Sequence, residues 1–301
     1  LLLNVSSAVL INEGQSVRKR LRQTLSCVLA SGSTPRAVYN SFDIVGDIAV
    51  IKMPEDSVVN ASIVAEAILN KHKNVKVVLI QIDSVSGDYR TRRLIHVAGE
   101  NRTHTVHKES GCLFGVDLQS CYFSPGLSHE HRRIAQLVQP SEIVINMFAG
   151  VGCFSLLISK QVASAKVYSI DINPFAVNYM KENIKINKVT GKVVPILGDS
   201  KAIVETQLRG IANRVLMPLP EKALEYLPAA VCALKSSNGW IHFHGFERAK
   251  KTQDAIDVTK QKLVERLSSL NVNFEVAFAR EVRRVGPSKY HIVADVLIKG
   301  V

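Results

Sequence analysis

From Glu142 onward, short apolar runs alternate with helix-forming stretches, and this alternation restricts the possible folds more than any other feature of the chain. Glu142-Ile143-Val144-Ile145 reads as a short buried strand, led in by a helix over 128–138. After it come Asn146-Met147-Phe148-Ala149-Gly150-Val151-Gly152, a helix over 153–163, a strand Lys166–Ile170, a helix over 174–187 and a strand Val193–Leu197. The series continues with Arg214-Val215-Leu216-Met217, a helix over 221–234, Trp240-Ile241-His242-Phe243-His244, a helix over 248–269 and closing strands over 273–281 and 291–298. Strands that alternate with helices predict an α/β, Rossmann-like domain with a mostly parallel, doubly wound sheet. Two successive closing strands predict one antiparallel pair at its edge.

The first part of the chain reads differently. Residues 15–31 form an amphipathic helical pattern carrying Arg18, Lys19, Arg20 and Arg22, broken by Gly32-Ser33-Thr34-Pro35. Phe42 to Ile51 reads as two short strands joined at Gly46-Asp47, residues 58–72 have helical apolar spacing, and Val75–Ile82 is an apolar strand. The expected organisation is an amino-terminal helical segment (1–40), a small α+β domain (41–115) and the α/β domain (116–301). A length of 301 residues with 47% apolar content suits about two domains with real cores.

The formal charge of +12 favours a polyanionic partner, nucleic acid first, with a basic but ordinary enzyme as the plain alternative. The five cysteines are scattered and form no C-x-x-C pair, so reduced thiols are expected, with no disulfide scaffold and no metal site. No run is long and apolar enough to predict a membrane span, and Leu1–Ile11 lacks the basic region of a signal peptide. A cytoplasmic enzyme is expected.

A strand that ends in a glycine turn and opens a helix brings backbone N–H groups close to a ligand. Here Gly150 and Gly152 supply the turn, while Ser155 stands where a dinucleotide fingerprint has its third glycine. The next strand ends at Asp171, 21 residues after Gly150, where a carboxylate can accept both hydroxyls of a ribose. The third ends in Gly198-Asp199-Ser200, with an acid placed for an adenine amino group. A ribose-bearing cofactor with no phosphate suits a loop with no lysine, and S-adenosylmethionine fits that description. The plainer reading is that Asp171 and Asp199 are turn formers at strand ends.

The motifs then resemble one family in their order: Phe42-Asp43-Ile44-Val45-Gly46-Asp47, Gly87-Asp88-Tyr89-Arg90, Ala98-Gly99-Glu100-Asn101-Arg102-Thr103, His107-Lys108-Glu109-Ser110-Gly111, Tyr122-Phe123-Ser124-Pro125, Asn146 to Gly152, Asp171-Ile172-Asn173-Pro174 and Met217-Pro218-Leu219-Pro220. Over roughly residues 40–301 the chain resembles the archaeal and eukaryotic tRNA (guanine-37) N1-methyltransferases and the related wyosine-pathway enzymes. The resemblance implies a class I methyltransferase domain behind a small domain, S-adenosylmethionine as cofactor, and the anticodon loop and stem of tRNA as partner of a monomeric enzyme. It also implies a further amino-terminal module that recognises the tRNA elbow; at most 40 residues remain for one here, so it is expected to be reduced, replaced or missing.

Guanine N1 carries a proton at neutral pH, so its methylation needs a base, and a cation to stabilise charge on O6. The resemblance assigns the base to Glu130, within Ser124-Pro125-Gly126-Leu127-Ser128-His129-Glu130, and the O6 contact to Arg90. Without it, Glu130 reads as a first-turn helix acid and Arg90 as an exposed strand arginine. The cofactor residues it implies are Tyr122, His131, Phe148, Gly150, Gly152, Asp171, Ile172, Asp199, Ser200, Pro218 and Pro220.

Three positions depart from the family pattern. Gly126 replaces an arginine, so one tRNA or loop contact is expected to be lost. Pro218 replaces the asparagine after the fourth strand, and proline has neither an amide side chain nor an N–H. Asn146 stands where an acid commonly ends the first strand. Basic residues recur around 90–93, 102–108, 132–133 and 248–251, and in the expected loop Val282–Pro287, with Tyr89, Phe246 and Tyr290 interleaved. Phosphate contacts from such clusters would set affinity and make it salt-dependent. The Pro218 segment keeps open a wyosine-pathway activity (aminocarboxypropyl transfer, or methylation of a tricyclic guanosine). A non-catalytic RNA-binding relative is a further alternative, and a small-molecule methyltransferase is disfavoured by the charge.

Overall fold

The computed structural model describes residues 42–52, 61–83, 85–235, 238–250 and 252–300, so the expected helix over 15–31 lies outside the described residues. Two compact units are present: the described residues up to His107 with Asp117–Ser120, and Lys108–Val116 with the chain from Cys121 onward.

In the first unit, β1 (Phe42–Val45), β2 (Ile48–Lys52), β3 (Val77–Gln81) and β4 (Leu94–Gly99) form a four-stranded sheet in chain order. The β1–β2 hairpin turns at Gly46, whose φ of +57° is open to glycine. Strands β2 and β3 are parallel, so a crossover is required, and α1 (Ala61–Lys71) packs Ala61, Val64, Ala65 and Ile68 against Ala49, Ile51, Val78 and Ile80. The turn is pinned from a distance. Arg102 donates to both oxygens of Asp47, at 3.0 and 2.6 Å, and Thr105 Oγ1 donates to Asp47 Oδ1 at 2.7 Å. The Arg102 guanidinium holds the Asp47 carboxyl below its ordinary range.

Strands β5 (His104–Glu109) and β6 (Cys112–Asp117) form a two-stranded ribbon within which the division between units falls. Its turn, Ser110-Gly111, has φ of +48° and +79°, the pair of positive values a two-residue hairpin of this hand requires.

The second unit holds a seven-stranded sheet in the order β12-β13-β11-β10-β7-β8-β9. Strands β7 (Ile143–Asn146), β8 (Lys166–Asp171), β9 (Val193–Leu197), β10 (Arg214–Met217) and β11 (Asn238–Arg248) are parallel. Strand β13 (Lys289–Lys299) lies antiparallel between β11 and the edge strand β12 (Phe274–Gly286). The expected α/β class and the closing antiparallel pair are both present. The helices are α2 (Ser128–Leu137), α3 (Cys153–Gln161), α4 (Pro174–Ile186), α5 (Ser200–Gln207), α6 (Ala223–Ala233) and α7 (Ala255–Ser268). None is long and apolar enough to cross a membrane.

Two sequence expectations need correction, and one helix was not expected. The helix expected from 248 begins at Ala255, because β11 stays paired with β13 out to Arg248↔Lys289 and Asp254 then caps the helix by accepting from the Ile256 N–H. Helix α5 is eight residues long and buries only Ser200 and Val204, too few for a periodic signal. The expected loop Val282–Pro287 is strand as far as Gly286.

Candidate active site

The chain leaves β7 at Asn146 and enters α3 at Cys153 through the glycine turn. Gly150 has φ +55° and Gly152 has φ +97°, and a Cβ at 152 would collide with the Leu156 side chain. Both glycines are therefore required by backbone geometry. Asp171, at the end of β8, accepts from the Gly150 N–H at 2.7 Å and from the Asn173 N–H at 2.9 Å. Burial pushes its carboxyl up, and those two amide bonds oppose the shift. A carboxylate has about four acceptor sites, so two remain for a diol. Beside it Ile172 is 42% exposed, an apolar surface next to the acid. Asn173 caps α4 by accepting from the Phe175 N–H at 3.0 Å.

At the end of β9, Asp199 caps α5 through the Ala202 N–H and also accepts from the Tyr226 hydroxyl at 2.5 Å. Tyr226 in turn meets the ring of Phe148 edge-on, with centroids 5.2 Å apart. This contact joins the first and third strand ends into one wall. The Ser200 hydroxyl is buried without a hydrogen-bond partner among the described residues. The Tyr122 carbonyl lies 3.9 Å from where a Cβ on Gly150 would stand. Open acceptor sites, a backbone that glycine leaves bare, an exposed aliphatic face and an unsatisfied hydroxyl fit a nucleoside with a ribose diol.

Glu130 is fully buried in the first turn of α2. Arg133 Nε donates to its Oε2 at 2.9 Å, and Arg280 donates to its Oε1. The group is an ion-paired carboxylate, not a lone acid in an apolar pocket. His131 is buried too: its Nδ1 is 2.8 Å from Glu109 Oε1, and its ring meets Phe154 of α3 edge-on. Pro218 and Pro220 follow β10 and are half-buried. Pro220 borders a cleft of about 440 Å³ at the carboxyl end of β11, none of whose lining residues belongs to the glycine turn. Arg90 lies in the first unit, in a turn rather than a strand, with φ +52° and its N–H donating to the Gly87 carbonyl at 3.1 Å.

Residues 105–276 match the model of the TRM5/TYW2 methyltransferase domain, and residues 21–103 match that of the TYW2 N-terminal domain. The chain belongs to the TRM5/TYW2 methyltransferase family. It is 41% identical over 260 residues to the Pyrococcus abyssi tRNA (guanine(37)-N(1))-methyltransferase Trm5b, covering 86% of this chain and 75% of that protein. It is 37% identical over 265 residues to the Saccharolobus solfataricus tRNA 4-demethylwyosine(37)-methyltransferase Taw21, covering 86% and 94%. Among solved structures it is similar to the complex of aTrm5 and tRNALeu, with a TM-score of 0.77 and 31% identity over 98% of this chain and 82% of that one.

Asn146, a departure from the family pattern, and Ser155, a departure from the dinucleotide fingerprint, prove to be partners. Asn146 donates to Ser155 Oγ at 3.1 Å, and Ser169 Oγ donates to the same oxygen at 2.7 Å, all three residues being buried. The residue without a family acid and the serine without a glycine thus form one polar knot under the turn.

Several residues that shape the site were not singled out in the sequence. Asn183 accepts from the Gly115 N–H at 2.7 Å and donates to the Gly115 and Val151 carbonyls at 3.0 and 3.1 Å, tying α4 to β6 and the turn. Asp295 accepts from Arg133 and from His242, and His242 Nε2 lies 2.6 Å from Arg214 Nη1. Arg214 in turn donates to both oxygens of Glu142, at 2.9 and 3.1 Å. A lone asparagine or histidine in an α/β sequence carries no signal of such pairing; only the strand order brings them together.

Proposed function

We propose that this chain transfers the methyl group of S-adenosylmethionine to N1 of guanosine 37 in the anticodon loop of tRNA. The carrying observation is a fully buried, ion-paired Glu130 in a chain that belongs to the TRM5/TYW2 family. The cofactor is S-adenosylmethionine; bound at the glycine turn, it supplies an electrophilic methyl group on a sulfonium.

The chain's own residues do the rest. Asp171 takes the ribose hydroxyls, Gly150 and Gly152 let the backbone approach, and the Phe148–Tyr226–Asp199 wall borders the adenine. Tyr122, His131, Ile172, Ser200, Pro218 and Pro220 complete the cofactor's surroundings. Glu130, with acceptor sites left over from its two arginines, takes the proton from guanine N1. Arg133 and Arg280 fix the direction in which that carboxylate faces. Arg90, from the first unit, is assigned to O6 by the family resemblance. The reading includes a monomeric cytoplasmic enzyme, with phosphate contacts from basic residues of a chain whose formal net charge is +12.

Two observations favour a second reading within the family. Pro218-Leu219-Pro220 lacks the usual asparagine, and the chain's amino-terminal part matches the TYW2 N-terminal domain. A wyosine-pathway activity would use the same cofactor site. Incubation of a tRNA transcript with cofactor labelled separately on its methyl and carboxypropyl groups, followed by nucleoside mass spectrometry, separates them. Methyl label in 1-methylguanosine is the expected result; carboxypropyl label alone overturns the proposal. Glu130→Gln should lower the single-turnover rate by about 10²–10⁴-fold, the range for a lost general base. An unchanged absence of turnover in both forms, with tRNA bound, would mark a non-catalytic RNA-binding relative.

A further inference from the structure

Gly126 stands where the family pattern has arginine, and the space beside it is filled. A Cβ on Gly126 would lie 2.5 Å from Arg283 Nη1 and 3.5 Å from Arg283 Cζ. No left-handed φ requires glycine at this position, so the missing side chain serves to admit a guanidinium. Arg283 comes from β12, 157 residues further along the sequence (283 − 126).

The register of β12 explains how it arrives there. Arg280 pairs with Val293, Glu281 with Ile292 and Arg283 with His291, so Val282 is an extra residue in a β-bulge. In an uninterrupted strand, positions 280 and 283 would face opposite sides. The bulge returns Arg283 to the face of Arg280. Arg280 spends its charge on Glu130. Arg283 has no hydrogen bond or ion pair among the described residues, and its Nε is buried without a partner. One strand thus delivers two arginines to the turn and first helical residues of 124–130, one committed to a carboxylate and one uncommitted.

An uncommitted guanidinium beside an exposed glycine, in a chain of net charge +12, suits an oxyanion from outside the protein. We propose that Arg283, seated over Gly126 by the β12 bulge, binds a backbone phosphate of the RNA substrate close to the nucleotide presented to Glu130. The contact expected to be lost with the arginine at 126 is then supplied from another strand. This rests on the RNA reading above.

The test uses the full chain and a fluorescently labelled, unmodified tRNA transcript. Dissociation constants are measured by anisotropy over a range of salt, together with steady-state methylation. Arg283→Ala should bind about tenfold more weakly at low salt, the size of one charge-assisted contact. The slope of log affinity against log salt should become shallower by about 0.7–0.9, one phosphate's worth. KM for tRNA should rise more than kcat falls, and Arg283→Lys should keep the slope. Gly126→Ala should weaken binding by displacing the guanidinium, and should do nothing further once Arg283 is alanine. An unchanged affinity and slope in Arg283→Ala, or additive effects of the two substitutions, overturns the proposal. If the unaltered protein neither binds nor modifies tRNA, it is the RNA reading that has failed.

Discussion

Asp295 receives Arg133 through both carboxylate oxygens, at 2.5 and 3.1 Å, and thereby anchors the helix that carries Glu130 to the sheet. The same carboxylate takes His242 Nδ1 at 2.6 Å. His242 Nε2 faces Arg214, so the ring holds its proton on Nδ1.

Removal of that carboxylate leaves a guanidinium and an imidazole facing each other without an anion between them. Asp295→Ala should destabilise the protein by about 3–5 kcal/mol, as for a buried pair broken on one side. Burial alone would raise the Asp295 carboxyl, but the bonds from His242 and Arg133 outweigh it and hold it far below its ordinary range. Its folded-state value is thus below that of the unfolded chain. The stabilisation is complete above about pH 4 and declines as the pH falls further. Urea unfolding of both proteins between pH 7 and pH 3 checks this: the gap between them should narrow below about pH 4, and a constant gap would contradict it.

His244 contributes with a different window. Burial lowers its imidazole to about 3, with the charge of Arg133 adding to the effect. The unfolded chain therefore binds a proton that the folded one refuses, and stability falls as the pH drops from about 6.5 toward 3. Asn at 244 cannot titrate. Wild type should lose about 2 kcal/mol more than His244→Asn between pH 7.5 and pH 5, at roughly 1.4 kcal/mol per pH unit. Parallel unfolding curves at the two pH values would remove His244 from the acid response.

Asp171 holds the glycine turn, and the proposed function gives it the ribose of the cofactor. Asp171→Asn keeps one acceptor for the Gly150 N–H but loses the charge that a ribose diol meets. Calorimetric titration with S-adenosylmethionine should show affinity reduced about 10–100-fold, the size of one or two hydrogen bonds to a charged group. Because burial raises the Asp171 carboxyl, wild-type affinity should fall with acidification sooner than an ordinary aspartate would give, whereas the Asn variant should be flat. Equal affinities at neutral pH would show that the acid is only a turn former.

The strand–helix alternation and the glycine turn were legible because each is local: apolar runs such as Val144-Ile145 and Val215-Leu216-Met217 are bounded by turn residues. Asp171 and Asp199 were legible as strand-end acids, and the structure shows that both hold backbone N–H groups, the turn-forming role that sequence reasoning also offered. What could not be read depends on register. Asp295 and Arg133 meet only because β13 enters beside β11, and Arg283 reaches Gly126 only through one extra residue in β12. Helix α5 and the true start of α7 were hidden for a local reason, since a short helix and a long paired strand both lack a distinctive period.

The insertion of β13 between β11 and β12 also orders events during synthesis. Glu130 and Arg133 leave the ribosome well before Asp295, which follows Arg133 by 162 positions. Until that last strand has emerged, β12 has no neighbour in the sheet, and the helix bearing Glu130 has neither of its distant anchors, Asp295 and Arg280. A nascent chain can close the glycine turn against β8 while Glu130 and Arg133 still lack these partners. The glycine-turn side of the sheet can therefore form before the Glu130 side, whose distant contacts come from β12 and β13.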